Sequence, residues 1–133
     1  MIKNEHQYKV TRNLAQELEE SLAELVANEK YNALPKQAQK AHSSSLKRQL
    51  AQYQAELGEY ESLKGGQFDF DRLPEIAKIS KWLIQARIAR GLDQEGLAKL
   101  LNLKKQQVQQ YEATEYAAAS LARLQQVAEV LLR

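Results

Sequence analysis

The clearest pattern of apolar and polar positions lies between Leu92 and Glu112, where it predicts two short helices around one turn. The first helix, over Gln94 to Leu101, gathers its apolar residues on one face, because residues three and four apart share a helix face. The apolar positions across both helices are Leu97, Ala98, Leu100, Leu101, Leu103, Val108 and Tyr111. The second helix is therefore predicted to expose a row of lysine and glutamine side chains.

The turn between these helices is predicted at Asn102. A helix that stops and restarts within about 3–4 residues needs one residue with positive φ, and asparagine tolerates that conformation best after glycine. Asp93 is well placed to cap the first helix by accepting backbone N–H bonds. Gly96 costs about 0.5–1 kcal/mol relative to alanine in a helix, so we expect this helix to be modestly stable.

The N-terminal part of the chain predicts two longer helices. The first runs from Thr11 to about Lys30, after ten residues that we expect to be extended, and its apolar stripe is Leu14, Leu18, Leu22, Leu25 and Val26. The second runs from about Lys36 to Lys64, with a possible kink at its three serines, 43–45. Its seam has the alternating spacing of four and three that is typical of coiled coils, at Leu46, Leu50, Tyr53, Leu57 and Tyr60.

A pair of glycines, Gly65 and Gly66, is predicted to end the second helix and to separate an arm, residues 1–66, from a compact domain, residues 67–133. In this domain a short extended linker leads to a helix capped near Asp71 and ending before Gly91. Its apolar positions are Ile76, Ile79, Leu83, Ala86 and Ile88. After the loop 113–120, a last helix over 121–132 has Leu121, Leu124, Val127, Ala128 and Leu131 at helical spacing. The predicted fold class is all-α.

Composition limits the chemistry. The chain has no cysteine and two histidines, so disulfides are excluded and we expect no four-coordinate zinc site. His42 precedes three serines, but adjacent residues do not face each other on a helix, and we expect neither catalysis nor a cofactor. No apolar run approaches the roughly 20 residues of a membrane span, so a cytoplasmic protein is expected. The net charge of +2 lies entirely after Gly66, where ten basic residues accompany eight acidic ones.

At the predicted helix pair, the sequence resembles the helix-turn-helix of the lambdoid repressor and Cro family, also called the XRE family. The resemblance runs from about Leu83 to Leu132, and implies a lambda-repressor-like DNA-binding domain of four to five helices. The positions that carry it are Gln94, Leu97, Ala98, Leu101, Asn102, Val108, Tyr111 and Glu112. The chain departs from the family pattern at Gly96, at Asn102, where glycine is commoner, and at Lys104, where serine or threonine usually caps.

This resemblance and the chemistry of the exposed row predict contacts with double-stranded DNA. Glutamine and lysine side chains match donors and acceptors on base edges in the major groove. The expected base contacts are Lys105, Gln106, Gln107 and Gln110. The expected phosphate contacts are Gln94, Lys104, Arg87 and Gln109, with further backbone N–H groups from the loop 114–120. We expect Tyr111 to belong to the core, and Glu112 to be structural and paired with Arg87 or a backbone group.

We therefore expect a sequence-specific DNA-binding regulator that acts as a homodimer, because dimers bind half-sites one helical turn apart, about 34–36 Å. The dimer surface is either the seam of the second helix or the final helix around Val127 and Leu131. Small proteins of the family act as repressors or as antitoxins that repress their own operon, so the arm could contact a toxin. The alternative is a protein–protein interaction module whose arm binds a partner, without specific DNA binding.

Overall fold

The computed structural model describes residues 1–133 and is all-α, which confirms the predicted fold class. A single 3₁₀ turn, Ile76–Lys78, accompanies the α-helices. These are α1 (Glu5–Leu25), α2 (Glu29–Asn32), α3 (Lys36–Lys64), α4 (Ile79–Ala89), α5 (Gln94–Leu101), α6 (Lys105–Ala113) and α7 (Leu121–Leu132). The chain divides into two compact units, Met1–Glu59 and Tyr60–Arg133, and the division lies within α3.

Helix α1 begins earlier than its leucines indicate. The Asn4 side chain accepts a hydrogen bond from the Gln7 N–H at 2.8 Å and so caps a helix whose first turns are polar. The expectation of an extended N-terminus with a start at Thr11 is therefore wrong. The helix also ends at Leu25 instead of Lys30, because Asn28 caps the separate short helix α2 through the Tyr31 N–H.

Helices α1 and α3 form a helical hairpin in the N-terminal unit. Polar contacts join them: Gln54 Nε2 donates to Glu19 Oε1 at 3.4 Å, and the Met1 ammonium lies 3.4 Å from Glu56 Oε1. Most leucines of the two helices are half-buried. The predicted stripe is wrong at its two ends, since Leu14 is 40% and Val26 is 78% exposed.

Helix α3 has the predicted bounds and runs without a break through its three serines. It ends at the predicted glycine pair, where Gly66 adopts φ +80°. The Gly66 N–H donates to the Leu63 carbonyl and the Gln67 N–H to the Ser62 carbonyl. These two bonds satisfy carbonyl groups that the end of the helix would otherwise leave without partners.

The predicted linker before α4 is a packed aromatic segment. The Phe68 ring lies edge-on to Phe70 at 4.9 Å and 5.5 Å from Trp82, whose Nε1 donates to the Arg72 carbonyl at 3.2 Å. The guanidinium of Arg90 lies 3.9 Å from the centre of the Phe70 ring. These contacts attach the segment to the buried side of α4.

Helix α4 starts at Ile79, so the predicted cap at Asp71 is wrong. The Asp71 N–H instead donates to the Asp69 side chain at 3.0 Å in a local turn. Ile76 is 90% exposed, and is therefore not part of the core to which its spacing assigned it. The end of α4 is as predicted, with Gly91 at φ +76°.

The C-terminal unit has one small core, in which α5 packs on α6, and α4 and α5 pack on α7. Predicted core residues Leu100 and Leu121 are instead 57% and 72% exposed. The buried apolar residues of the four helices are Trp82, Leu83, Ile84, Ala86, Ile88, Leu97, Ala98, Val108, Val127 and Leu131. This core fixes the position of α6.

Candidate nucleic-acid interface

Local bonds hold the turn between α5 and α6. Asp93 Oδ1 accepts from the Gly96 N–H at 2.6 Å and caps α5. Asn102 has φ 57° and ψ 43°, the left-handed conformation that the sequence predicted. The Leu103 N–H then donates to the Ala98 carbonyl at 2.8 Å, which closes α5 and redirects the chain into α6.

The start of α6 uses an unexpected cap. Lys104 occupies the cap position but has no side-chain acceptor. The Gln107 side chain forms one of the two bonds of a capping box, because its Oε1 accepts from the Lys104 N–H at 2.9 Å. Gln107, one of the predicted base contacts, is thus also a structural residue of the helix start.

Helix α6 has one buried and one exposed side. Val108 and Glu112, four residues apart, are 1% and 0% exposed and attach the helix to the core. The remaining long polar side chains of the segment are all exposed, namely Lys104, Lys105, Gln106, Gln107, Gln109 and Gln110. The helix can therefore present amide and ammonium groups to a ligand without moving its core contacts.

A buried polar cluster of Arg87, Gln94 and Glu112 fixes α6 against α4 and α5. Arg87 donates from Nε to Glu112 Oε2 at 2.7 Å and from Nη2 to Oε1 at 2.9 Å. Gln94 Nε2 donates to Glu112 Oε1 at 2.9 Å, and Arg87 Nη1 donates to the Leu92 carbonyl at 2.8 Å. The structural role and Arg87 pairing expected for Glu112 are confirmed.

Two of the expected phosphate contacts, Arg87 and Gln94, belong to this buried cluster. Arg87 is 2% and Gln94 is 5% exposed, and both side chains are engaged within the protein. We therefore leave the Arg87 side chain out of the proposed DNA-contacting set. Gln94 still opens α5, and the N-terminus of a helix can receive a phosphate through backbone N–H groups.

Two stacked tyrosines follow the buried cluster. The half-buried Tyr111 ring lies parallel to Tyr116 with their centres 5.6 Å apart. Tyr116 is 5% exposed and has φ 57°, although it belongs to a loop. Burial raises the pKa of Tyr116 well above its usual value, the Glu112 carboxylate adds to this rise, and Arg87 opposes it. The sequence does not predict the burial of Tyr116, because a single tyrosine among alanines has no periodic signal.

Most backbone N–H groups of the loop after α6 donate within the protein. The N–H groups of Thr114, Glu115, Tyr116, Ala117 and Ala119 bond to carbonyls of α6 or of the loop itself. Phosphate contacts from this loop would therefore be limited to its remaining N–H groups and to the N-terminal turn of α7.

The charge on this surface is modest. Lys104 and Lys105 are exposed at the start of α6. On the preceding helix α5, Lys99 Nζ lies 4.0 Å from Glu95 Oε1, and this exposed carboxylate partly offsets the charge of Lys99. Positive charge is thus concentrated at one end of the row of glutamines.

Comparison with known families identifies the same part of the chain. Residues 83–131 match a family model that is described as "Helix-turn-helix". No curated protein and no solved structure matches the chain significantly. None of the helices has the length and apolar character needed to cross a membrane. The matched segment contains the buried cluster, the turn at Asn102 and the exposed row on α6.

Proposed function

Residues 83–131 form a helix-turn-helix domain of the XRE family of DNA-binding regulators, and from this premise we propose that the protein is a sequence-specific transcriptional repressor that binds its operator as a homodimer. Repression follows if the operator overlaps a promoter, because a bound dimer excludes the polymerase. The observation that carries the proposal is the exposed row of lysine and glutamine side chains on α6, a helix that Glu112 attaches to the buried cluster.

In this proposal α6 enters the major groove. Lys105, Gln106 and Gln110 contact base edges, with Gln107 at the flank, because their donors and acceptors match those of purines. Lys104 and Gln109 contact phosphates beside the groove, and the N-terminus of α5 at Gln94 receives a further phosphate.

The surface around α6 has few positive charges, and this favours binding to DNA as a dimer. Each phosphate that a protein neutralises releases counterions and strengthens binding, and the two exposed lysines at the start of α6 supply little of this effect in a single copy. Two copies double the phosphate contacts and read two half-sites. Their centres would lie about 34–36 Å apart, one turn of B-DNA.

The experiment is selection of bound sites from random duplex DNA at low salt. We expect enrichment of a two-fold symmetric site with half-sites separated by about one helical turn. The Gln106→Ala/Gln110→Ala variant is the matched control, and should lose enrichment while remaining folded. A protein–protein interaction module would enrich no sequence at any salt concentration, and that result would contradict the proposal.

A further inference from the structure

The N-terminal unit, Met1–Glu59, has an incomplete core. Its only buried apolar side chains are Ile2 and Ala15. The seam of the α1–α3 hairpin is half-buried, at Leu18, Leu22, Leu25, Leu46, Leu50, Tyr53 and Leu57. Domains bury their apolar faces between packed layers, and the core of a unit this small is only marginally stabilising on its own.

An apolar pair extends the seam onto an exposed side of α1. Val10 is 43% and Leu14 is 40% exposed. They lie one turn apart and share a helix face, and Leu18 continues that face by another turn. This face needs a covering surface that is apolar along its centre.

The charges of the hairpin indicate what kind of surface covers it. The second half of α1, residues 15–25, has four glutamates and no basic residue, whereas the first half has Lys9 and Arg12 with Glu5. The first half of α3, residues 36–50, has four basic and no acidic residues, and its second half has three glutamates and one lysine. Both helices are therefore basic first and acidic last.

This order opposes the helix dipole, which favours acidic residues at the start and basic ones at the end. The charges are instead complementary between antiparallel helices, as α1 and α3 are within one chain, and the same condition applies to a further helix that packs against α1. Two copies of α1 that run antiparallel place each acidic half against the basic half of the other. Two copies of α1 that run parallel place glutamates against glutamates.

We propose that a second copy of this chain covers the α1–α3 hairpin and forms a four-helix bundle with it. In this bundle α1 is antiparallel to the partner's α1, and the α1–α3 connections of the two copies lie at opposite ends. A two-fold interface must be self-complementary, and the charge order of α1 meets that condition. The inference rests on the proposed homodimer and assigns its interface to the arm, instead of to α7.

The first test measures the oligomeric state of the full chain by sedimentation equilibrium. Val10→Glu/Leu14→Glu places new carboxylates in the interface, and should weaken the dimer at least about 100-fold because central apolar contacts dominate association. Val26→Glu, at a residue that is 78% exposed beyond the end of α1, and Leu132→Glu, on α7, are the controls and should remain dimeric. Circular dichroism checks that the α-helix content of each variant is unchanged.

The second test uses the absence of cysteine to determine the orientation. Leu14→Cys lies near the middle of α1, so the antiparallel arrangement brings the two copies together and a short bismaleimide should link them. Val26→Cys lies at the end, and the two copies would be more than about 30 Å apart at a rise of about 1.5 Å per residue. Cross-linking at position 26 but not at 14 would overturn the proposed orientation.

The remaining outcomes separate this inference from the proposed function. A dimer that persists in Val10→Glu/Leu14→Glu, or that is lost in Leu132→Glu alone, overturns the assignment to the arm and leaves DNA binding and the homodimer standing. A wild-type protein that is monomeric at high micromolar concentration overturns both the homodimer and its interface. Site selection then shows independently whether a monomer still reads DNA.

Discussion

The buried cluster of Arg87, Gln94 and Glu112 permits a quantitative prediction. Glu112→Gln keeps the shape of the side chain but removes its charge, and Gln94 can still donate to the remaining amide oxygen. The guanidinium of Arg87, 2% exposed, would then lack the carboxylate that lies at 2.7 and 2.9 Å in the native protein.

The magnitude follows from the burial of both partners. Removing one partner of a buried ion pair costs about 3–5 kcal/mol, because a charge is left without compensation. Whole domains are stable by only about 5–15 kcal/mol, so Glu112→Gln should remove a large share of the free energy of unfolding of the C-terminal unit. Arg87→Met/Glu112→Gln removes the stranded charge, and should recover most of the lost stability.

The assay is urea unfolding followed by tryptophan fluorescence. The chain has a single tryptophan, Trp82, which is buried in α4 and reports on the C-terminal unit. Glu115→Gln is the control, because this exposed carboxylate should contribute within about 0.5 kcal/mol. The reasoning is refuted if Glu112→Gln costs less than about 1 kcal/mol, or if the double variant is no more stable than Glu112→Gln.

Three further predictions concern the exposed row and the loop. Gln106→Ala/Gln110→Ala should reduce discrimination between operator and random duplex by about 1–3 kcal/mol for each lost base contact, measured by competition binding. Lys104→Ala should weaken all duplexes alike and reduce the salt slope by about 1, whereas an unchanged slope would exclude its phosphate contact. Because burial raises the pKa of Tyr116, stability is fully present below the unfolded value of about 10 and falls at higher pH. Tyr116→Phe should remove that part of the fall, and an identical alkaline unfolding profile would contradict it.

The elements that the sequence predicted correctly depend on local signals. Gly66, Gly91 and Asn102 adopt the positive φ that their residue types favour, and each ends a helix at the expected place. Asp93 caps α5 because its acceptor needs only a neighbouring N–H. The bounds of α3 and α7 follow from similar signals together with apolar spacing.

The start of α1 is also encoded locally, but apolar spacing does not reveal it. The leucine stripe begins late, whereas Asn4 caps a polar first turn that has no apolar periodicity. Apolar spacing likewise overestimated the core at Ile76 and Leu121, because it shows which residues share a face but not whether another element covers that face.

The candidate site was only partly predictable. The exposed row on α6 follows from the apolar positions Val108 and Tyr111, and its DNA contacts stay predictions. The burial of Arg87 and Gln94 depends on three helices meeting around one carboxylate, which no local pattern encodes. Tyr116 is buried for a similar reason, since its loop folds back onto Tyr111.

The cap formed by Gln107 also narrows what this residue can recognise. One of the two lone pairs of its carbonyl oxygen accepts from the Lys104 N–H at 2.9 Å, whereas its NH₂ group has both hydrogens available for a ligand. Such a group can donate to guanine O6 or N7, adenine N7 or thymine O4, but it has no acceptor for the amino groups of adenine or cytosine. We therefore expect Gln107 to favour a base that offers lone pairs, whereas each neighbouring glutamine keeps its whole amide group available for donors and acceptors.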